Sequence, residues 1–172
     1  MKIVLSPAKA LDYTTPALDV PVSLPAFPEQ THALVDILRG YDEVALSGLM
    51  SISAALSREN VARYQRFSDT FDETNSRPAL YAFNGDVYDG LSARTLTRVE
   101  AERANELVRI LSGLYGVLRP FDLMQPYRLE MGTKLPNPAG KDLYAFWRER
   151  ITATLNQALA NDRHPVLVNL AS

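Results

Sequence analysis

The sequence predicts a mixed α/β (α+β) fold in a single compact domain, and three observations lead to this class. Short apolar runs typical of strands occur near both ends and in the middle of the chain. Segments with helical periodicity separate these runs, which is the alternation that builds an α/β core. A length of 172 residues with 47% hydrophobic and 22% charged residues suits one domain.

Four apolar runs predict the strands. Lys2–Leu5 is closed by a Ser-Pro pair, and Ala79–Phe83 ends in the turn around Asn84-Gly85-Asp86. Val108–Leu111 is rich in β-branched residues, and the almost continuous apolar run Val166–Leu170 predicts a buried strand. Because a buried strand so near the last residue indicates a longer chain, residues 1–172 are expected to be the amino-terminal part of one.

The helices are predicted from caps and from the spacing of apolar residues. Thr31 is the predicted cap of the first helix and Gly40 its end, and the proline-rich residues 16–28 before it predict an irregular surface segment. Asp142 is the predicted cap of the last and longest helix. The helices between them are predicted at Glu43–Met50, Ser53–Arg66 and Leu96–Leu107.

Composition excludes several kinds of function. The chain has no cysteine and only two histidines, so no thiolate metal site, iron–sulfur cluster or histidine-rich metal centre is expected, and no cofactor is predicted. The formal net charge of −2 does not indicate general nucleic-acid binding. No apolar run approaches the roughly 20 residues of a membrane span, and the amino terminus is not a signal peptide. A cytoplasmic location with no membrane partner is therefore expected.

Two turn-rich segments follow predicted strands and carry charged residues. Lys9 and Asp12 come directly after the first strand, where α/β folds place ligands, although this pattern is more often a Ser-Pro turn followed by a solvated lysine. Asp86 and Asp89 could act as acids or metal ligands, but Asn-Gly-Asp is also ordinary turn chemistry.

The segment from Leu111 to Gly132 is the densest in charges, aromatics, glycines and prolines. Its arginines, Arg119 and Arg128, could bind a phosphate or carboxylate with their forked donors. The alternative is that they form ion pairs which fasten a long loop to the body of the protein. Its glycine spacing matches neither a Walker A loop nor a dinucleotide-binding fingerprint. No Gly-x-Ser-x-Gly elbow occurs in the chain, so a serine hydrolase is poorly supported.

Residues 43–66 show the pattern of a helix–hairpin–helix-like element. Two helices flank a short connection in which serines replace the usual hairpin glycines. Such a turn can present backbone N–H groups to a DNA phosphate. The alternative is an ordinary helical corner. The candidate DNA-binding residues are Ser51, Ser53, Arg58, Arg63 and Arg66.

Five motifs resemble, in this order, the bacterial peroxide stress protein YaaA family: SPAKALDY, FNGDVYDGL, LSGLYGVLRPFDLMQPYRLEMG, KDLYAFW and VNLAS. The resemblance implies a cytosolic protein that helps bacteria survive hydrogen peroxide by limiting free iron. It also implies DNA binding through a helix–hairpin–helix beside a positively charged cleft. The motif residues expected to face the cleft are Lys9, Asp12, Asp86, Tyr88, Tyr115, Arg119, Asp122, Tyr127, Arg128 and Glu130.

Two hypotheses for function follow. The first is a double-stranded-DNA-binding protein of the oxidative stress response that contacts mainly phosphates. The alternative is an enzyme acting on a small anionic substrate, anchored by Arg119 and Arg128, in which Lys9 and Asp86 or Glu130 exchange protons. Direct iron storage is disfavoured, since no ligand cluster with metal spacing is visible.

Overall fold

The computed structural model describes residues 1–160 and 162–171, and the structural statements below refer to these residues. The helices are α1 (Pro28–Arg39), α2 (Glu43–Met50), α3 (Ala54–Arg66), α4 (Ala79–Ala82), α5 (Asp86–Leu91), α6 (Arg98–Leu107) and α7 (Leu143–Ala160), with a short 3-10 helix at Ala93–Thr95. The strands are β1 (Lys2–Leu5), β2 (Ala10–Leu11), β3 (Arg77–Pro78), β4 (Phe83–Asn84), β5 (Val108–Ser112), β6 (Gly116–Leu118), β7 (Leu123–Met124) and β8 (Leu167–Asn169).

A four-stranded sheet with the order β6-β5-β1-β8 organises the fold. β1 pairs in parallel with β5 on one side and with β8 on the other, in the registers Ile3 with Val108 and Ile3 with Val168. β6 pairs antiparallel with β5. The carboxyl ends of β1, β5 and β8 therefore lie at one edge of the sheet. The predicted mixed α/β class is confirmed.

Most predicted helices are present, and their ends follow from capping. Asp142 accepts a hydrogen bond from the amide of Ala145 at 2.8 Å, and Gly40 follows the last residue of α1. The cap predicted at Thr31 is wrong, because α1 begins at Pro28, whose fixed backbone angle suits a first helical position. Thr31 lies inside the helix, where its hydroxyl donates to the carbonyl of Leu114.

The strand predicted at Ala79–Phe83 is wrong over most of its length. Ala79–Ala82 form the short helix α4, all of whose residues are buried, and only Phe83 belongs to a strand. A short apolar run buried on all sides has no periodicity that separates strand from helix. The amides of Ala79 and Leu80 donate to the carbonyls of Asp122 and Pro120, so a neighbouring loop satisfies the start of this helix.

The main core lies between the sheet and helices α1, α2, α3 and α7. Trp147 is buried, and its indole N–H donates to the carbonyl of Gly113 at 2.8 Å. A Cβ on Gly116 would lie 2.8 Å from the Trp147 ring, and the φ of 72° at Gly116 also favours glycine. Helix α7 is broken at Arg148, where φ is 29°, and the side chains buried before this break are Leu143, Phe146 and Trp147.

The strand predicted at Val166–Leu170 is present as β8, but the prediction that it is buried is wrong. Val166, Leu167 and Leu170 are 51%, 42% and 61% exposed. Among the described residues, β8 pairs with β1 alone and forms an edge of the central sheet, and these three apolar side chains are open to solvent. Among the described residues, no helix is long and apolar enough to cross a membrane.

Candidate functional site

A cavity of about 530 Å³ lies at the sheet edge formed by the carboxyl ends of β1, β5 and β8. We call it the edge cavity. Ser6 follows β1, Leu111 is near the end of β5, and Asn169 ends β8, so all three parallel strands contribute. Ligands of α/β folds bind at this end of parallel strands. The other lining residues are Pro7, Ala8, Lys9, Tyr127, Arg128, Leu129, Glu130, Met131, Gly132, Tyr144 and Ala171.

Three charged side chains meet in the edge cavity. The Lys9 ammonium lies 3.3 Å from Oε1 of Glu130, and Nη2 of Arg128 lies 3.5 Å from the same oxygen. One carboxylate thus faces two cations, which leaves one net positive charge. The Arg128 side chain is only 17% exposed, whereas those of Lys9 and Glu130 are 66% and 50% exposed. The Arg128 side chain is therefore held in place by its surroundings, whereas the exposed side chains of Lys9 and Glu130 are free to move.

The Nε atom of Arg128 is buried and has no hydrogen-bond acceptor among residues 1–160 and 162–171. A buried N–H without a partner is rare in proteins, because its desolvation is not offset. The surrounding loop is held firmly, since the Tyr64 hydroxyl donates to the carbonyl of Arg128. A Cβ on Gly113 would lie 2.2 Å from the carbonyl oxygen of Leu129. Only glycine at this position lets the loop pass so close to the end of β5.

Two tyrosines position the walls of the edge cavity. The Tyr127 hydroxyl lies 2.6 Å from that of Ser112, and Tyr88 donates to the carbonyl of Ser6 at 2.9 Å. Burial raises the pKa of both phenols above the usual range. They therefore stay protonated at neutral pH and act as hydrogen-bonding groups rather than as bases.

Arg119 and Asp122 do not join this cluster. The buried Asp122 carboxylate accepts hydrogen bonds from the Arg119 amide at 2.8 Å, the Arg119 Nε at 3.2 Å and the Ser23 hydroxyl at 2.6 Å. The pair lines a separate depression with Arg109 and Thr154. This arrangement matches the alternative in which an arginine fastens the loop to the body of the protein.

Three further candidate residues also lie apart from the edge cavity. Tyr115 is fully buried in the core, and its hydroxyl donates to the carbonyl of Gln125. Asp86 is exposed at the start of α5, and it is not among the residues that line the edge cavity. Asp12 accepts from the amides of Thr14 and Thr15, and its other carboxylate oxygen lies 2.8 Å from Arg94.

A second and more open depression runs between residues 11–15 and helix α3. We call it the α3 groove. It has a volume of about 620 Å³, and its charged lining residues are Arg63, Arg66, Glu59 and Asp12. Nη2 of Arg63 lies 2.6 Å from the Glu59 carboxylate. The groove and the edge cavity share no lining residue, but two chain segments contribute to both: residues 6–9 and 127–132 line the edge cavity, and residues 11–15 and Pro126 line the groove. The uncharged lining residues are Leu11, Tyr13, Thr14, Thr15, Asn84 and Pro126.

A three-residue turn joins α2 to α3. Ser51 adopts the left-handed conformation with φ 52° and ψ 50°, and Ser53 caps α3 by accepting from the amide of Leu56. Ser57 donates to the carbonyl of Glu43 and so links the two helices. The exposed Arg58 lies 3.2 Å from the Glu43 carboxylate.

Tyr144 and Asn169 line the edge cavity but were not among the candidate site residues predicted from the sequence. Tyr144 and Asn169 lie within the motifs KDLYAFW and VNLAS, but neither carries a charge that marks it as functional. Their positions, in the first turn of α7 and at the end of β8, become informative only once the strand order is known. Among the described residues, no group of three or more histidine, aspartate and glutamate side chains could hold a metal ion.

Comparison with known proteins places this chain among bacterial relatives. It is 54% identical to a UPF0246 protein of Methylibium petroleiphilum, 56% to one of an Azoarcus species and 55% to one of Cupriavidus pinatubonensis. Each alignment covers all of this chain and 67% of the relative. The model of the peroxide stress protein YaaA family matches residues 1–172. The chain therefore belongs to the peroxide stress protein YaaA family.

Proposed function

We propose that this protein binds double-stranded DNA in the bacterial cytoplasm during peroxide stress and helps to limit free iron. The observation that carries the DNA-binding part is the pair of phosphate-binding features on α3, the α3 groove along its second half and the α2–α3 turn at its amino terminus. Arg63 and Arg66 line this groove, and the turn directs the amino terminus of α3 to the surface. Guanidinium groups and helix amino termini are both phosphate-binding elements.

The two helices and their turn would act as a helix–hairpin–helix. The left-handed residue Ser51 occupies a position where such hairpins have glycine, and the chain reverses over three residues. The free amides at the start of α3 would face a phosphate, with Ser51 and Ser53 beside it. Arg58 would extend the contact along the next turn of α3, once it exchanges Glu43 for a phosphate.

This mode of binding would be largely independent of base sequence. The proposed contacts are guanidinium groups, hydroxyls and backbone amides, which recognise phosphates and carry no base information. A protein that coats DNA in this way would shield it while iron-dependent radical chemistry is suppressed. The peroxide-stress family to which the chain belongs supports this role.

The test is a salt titration of binding to a short duplex, with the double variant Arg63→Gln/Arg66→Gln. Removing one arginine that binds a phosphate should reduce the slope of log K against log salt by about one, so the double variant should show a reduction of about two. The matched control is Arg98→Gln/Arg103→Gln, which removes two exposed arginines of α6 that pair with Glu102 and Glu106. Its slope should equal that of the unmodified protein.

Two outcomes would contradict the DNA-binding proposal. One is a flat salt response or no binding at low salt. The other is an equal reduction of the slope in both double variants, which would assign the binding to net charge rather than to the α3 groove.

The edge cavity favours a second candidate function, an enzyme that acts on a small anionic substrate. Lys9 and Glu130 form an exposed ion pair in a concave site, as proton-exchanging groups of an enzyme would. Lys9→Met should then abolish peroxide protection in cells while leaving the DNA affinity unchanged. If instead protection survives and only the DNA affinity falls, the enzyme candidate is wrong.

A further inference from the structure

The edge cavity has the features of a binding site for a small molecule with an anionic group. We propose that Arg128 and Lys9 bind the oxyanion group of this molecule, a carboxylate or a phosphate monoester, and that Glu130 is an internal counter-ion which the group displaces. The inference builds on the second candidate function and names the ligand class and the competing residue of the same cavity.

The first argument comes from the charge balance. A single oxygen of Glu130 serves both cations, at 3.3 Å from Lys9 and 3.5 Å from Arg128. Both distances are longer than the roughly 2.7–2.9 Å of a charge-assisted hydrogen bond. An anion with better geometry could therefore bind both cations more strongly than Glu130 does. Because Glu130 is half exposed, its carboxylate can leave without unfolding the loop.

The second argument is the unused donor of Arg128. Its buried Nε has no acceptor among the described residues, while Nη2 on the same edge faces Glu130. This edge of the guanidinium group is the one that holds two oxygens of a carboxylate or phosphate in a forked arrangement. An oxyanion that takes the place of the Glu130 carboxylate on this edge would also satisfy the Nε donor, which Glu130 leaves unpaired.

The third argument concerns the rest of the ligand. Apolar side chains of the cavity are contributed by Leu111, Leu129 and Met131, and aromatic rings by Tyr127 and Tyr144. Mixed walls with a few polar groups are typical of sites for organic molecules. A volume of about 530 Å³ also exceeds what an inorganic ion needs. The ligand is therefore an organic anion with an apolar or aromatic body.

Isothermal titration calorimetry with phenyl phosphate, benzoate and the uncharged benzyl alcohol tests the proposal. The unmodified protein should bind at least one of the two anions and not the alcohol. Arg128→Lys keeps the charge but loses the fork, and should weaken binding about tenfold. Lys9→Met should also weaken it, and Lys134→Met, an exposed lysine outside the cavity, should not.

The direction in which Glu130→Gln changes the anion affinity separates this proposal from a merely structural role of the ion pairs. Removing the internal carboxylate abolishes its competition with the ligand, so the anion should bind about threefold to tenfold more tightly. A merely structural role for the ion pairs predicts weaker binding in this variant. Thermal melting of each variant verifies that it is folded, and the exposed Lys9 provides a test even if Arg128→Lys is unstable.

The same titrations separate this proposal from DNA binding. Arg63→Gln/Arg66→Gln should bind the anion normally, and saturating duplex DNA should not displace it. No binding of either anion, weaker binding in Glu130→Gln, or displacement by DNA would each overturn the proposal. The last outcome would mean that the cavity receives a phosphate of DNA rather than a small molecule. A loss of DNA binding in Arg63→Gln/Arg66→Gln bears only on the proposed main function.

Discussion

Gly113 determines how closely the loop that carries Arg128 and Glu130 passes the end of β5. A methyl group at this position would lie 2.2 Å from the carbonyl of Leu129, and that carbonyl is backbone, which cannot turn aside. Gly113→Ala should therefore lower the free energy of unfolding by about 1–3 kcal/mol, as overpacking does, and should also move the edge-cavity loop. Urea unfolding monitored by Trp147 fluorescence measures the loss.

Gly90→Ala is the matched control for this prediction. A Cβ on Gly90 would meet no atom of the described residues within 4 Å, and alanine is a better helix residue than glycine. Its stability should be unchanged or slightly raised. Equal stability of the two variants would show that the loop can relax and that Gly113 does not set its position.

Asp12 makes the stability of the protein sensitive to acid. Hydrogen bonds from the Thr15 hydroxyl and from the amides of Thr15 and Thr14 hold the pKa of Asp12 well below its ordinary value of 3.8. A carboxyl whose pKa is depressed on folding contributes stability above its unfolded pKa, and this contribution is lost as the pH falls towards the folded value. The free energy of unfolding should therefore decline below about pH 5.

Asp12→Asn tests this acid sensitivity. The variant should be less stable than the unmodified protein at pH 7, and the difference should narrow as the pH falls below about 4. Asp19→Asn, at an exposed position, serves as the control. A difference between Asp12→Asn and the unmodified protein that stays constant from pH 7 downwards would contradict the assignment.

At the scale of elements, the α2–α3 turn depends on one serine in a conformation that favours glycine. Ser51 has a φ of 52°, and its amide donates to the carbonyl of Ser47 to end α2. Ser51→Gly should raise the free energy of unfolding by a few tenths to about 1 kcal/mol, because the side chain no longer disfavours this conformation. Ser51→Val should lower it, since β-branched residues are least suited to a positive φ.

Ser53→Ala is the companion variant for the same turn. It removes the cap of α3 and should lower the free energy of unfolding by about 1 kcal/mol. Thermal and urea unfolding of Ser51→Gly, Ser51→Val and Ser53→Ala gives the order of their stabilities. If Ser51→Gly proved less stable than the unmodified protein, the entropy of the unfolded glycine would outweigh the strain at this turn.

Helices were easier to predict from this sequence than strands. Asp42, Ser53, Thr97 and Asp142 precede α2, α3, α6 and α7 and accept amide hydrogen bonds at their first turns, so local chemistry marks where these helices begin. The segment Ala79–Ala82 carries no such signal. Its helix forms because a neighbouring loop satisfies its first amides, and that loop is distant in sequence.

At the scale of the whole molecule, the candidate site was only partly predictable. Lys9 directly follows β1, and this position predicted that it lies where the parallel strands end and α/β folds bind ligands. Arg119 and Arg128 have the same chemistry and lie nine residues apart, so the sequence could not show that Asp122 neutralises the first while the second enters the cavity. This difference depends on the path of the loop over β5, which is a property of the tertiary structure.

Strand β8 exposes an apolar surface at an edge of the central sheet. Leu167 in β8 and Leu170 just after it are 42% and 61% exposed, and within the described part of the chain β8 pairs with β1 alone. Because unpaired apolar edges recruit other chains, the 172-residue chain should self-associate as its concentration rises. Sedimentation velocity over a concentration series measures this association.

Leu167→Lys/Leu170→Lys should suppress the association, since charges on an edge strand oppose pairing. Val99→Lys, on the exposed face of α6, is the control and should have no effect. A chain that stays monomeric throughout the series, or an equal response of both variants, would assign no associating role to β8.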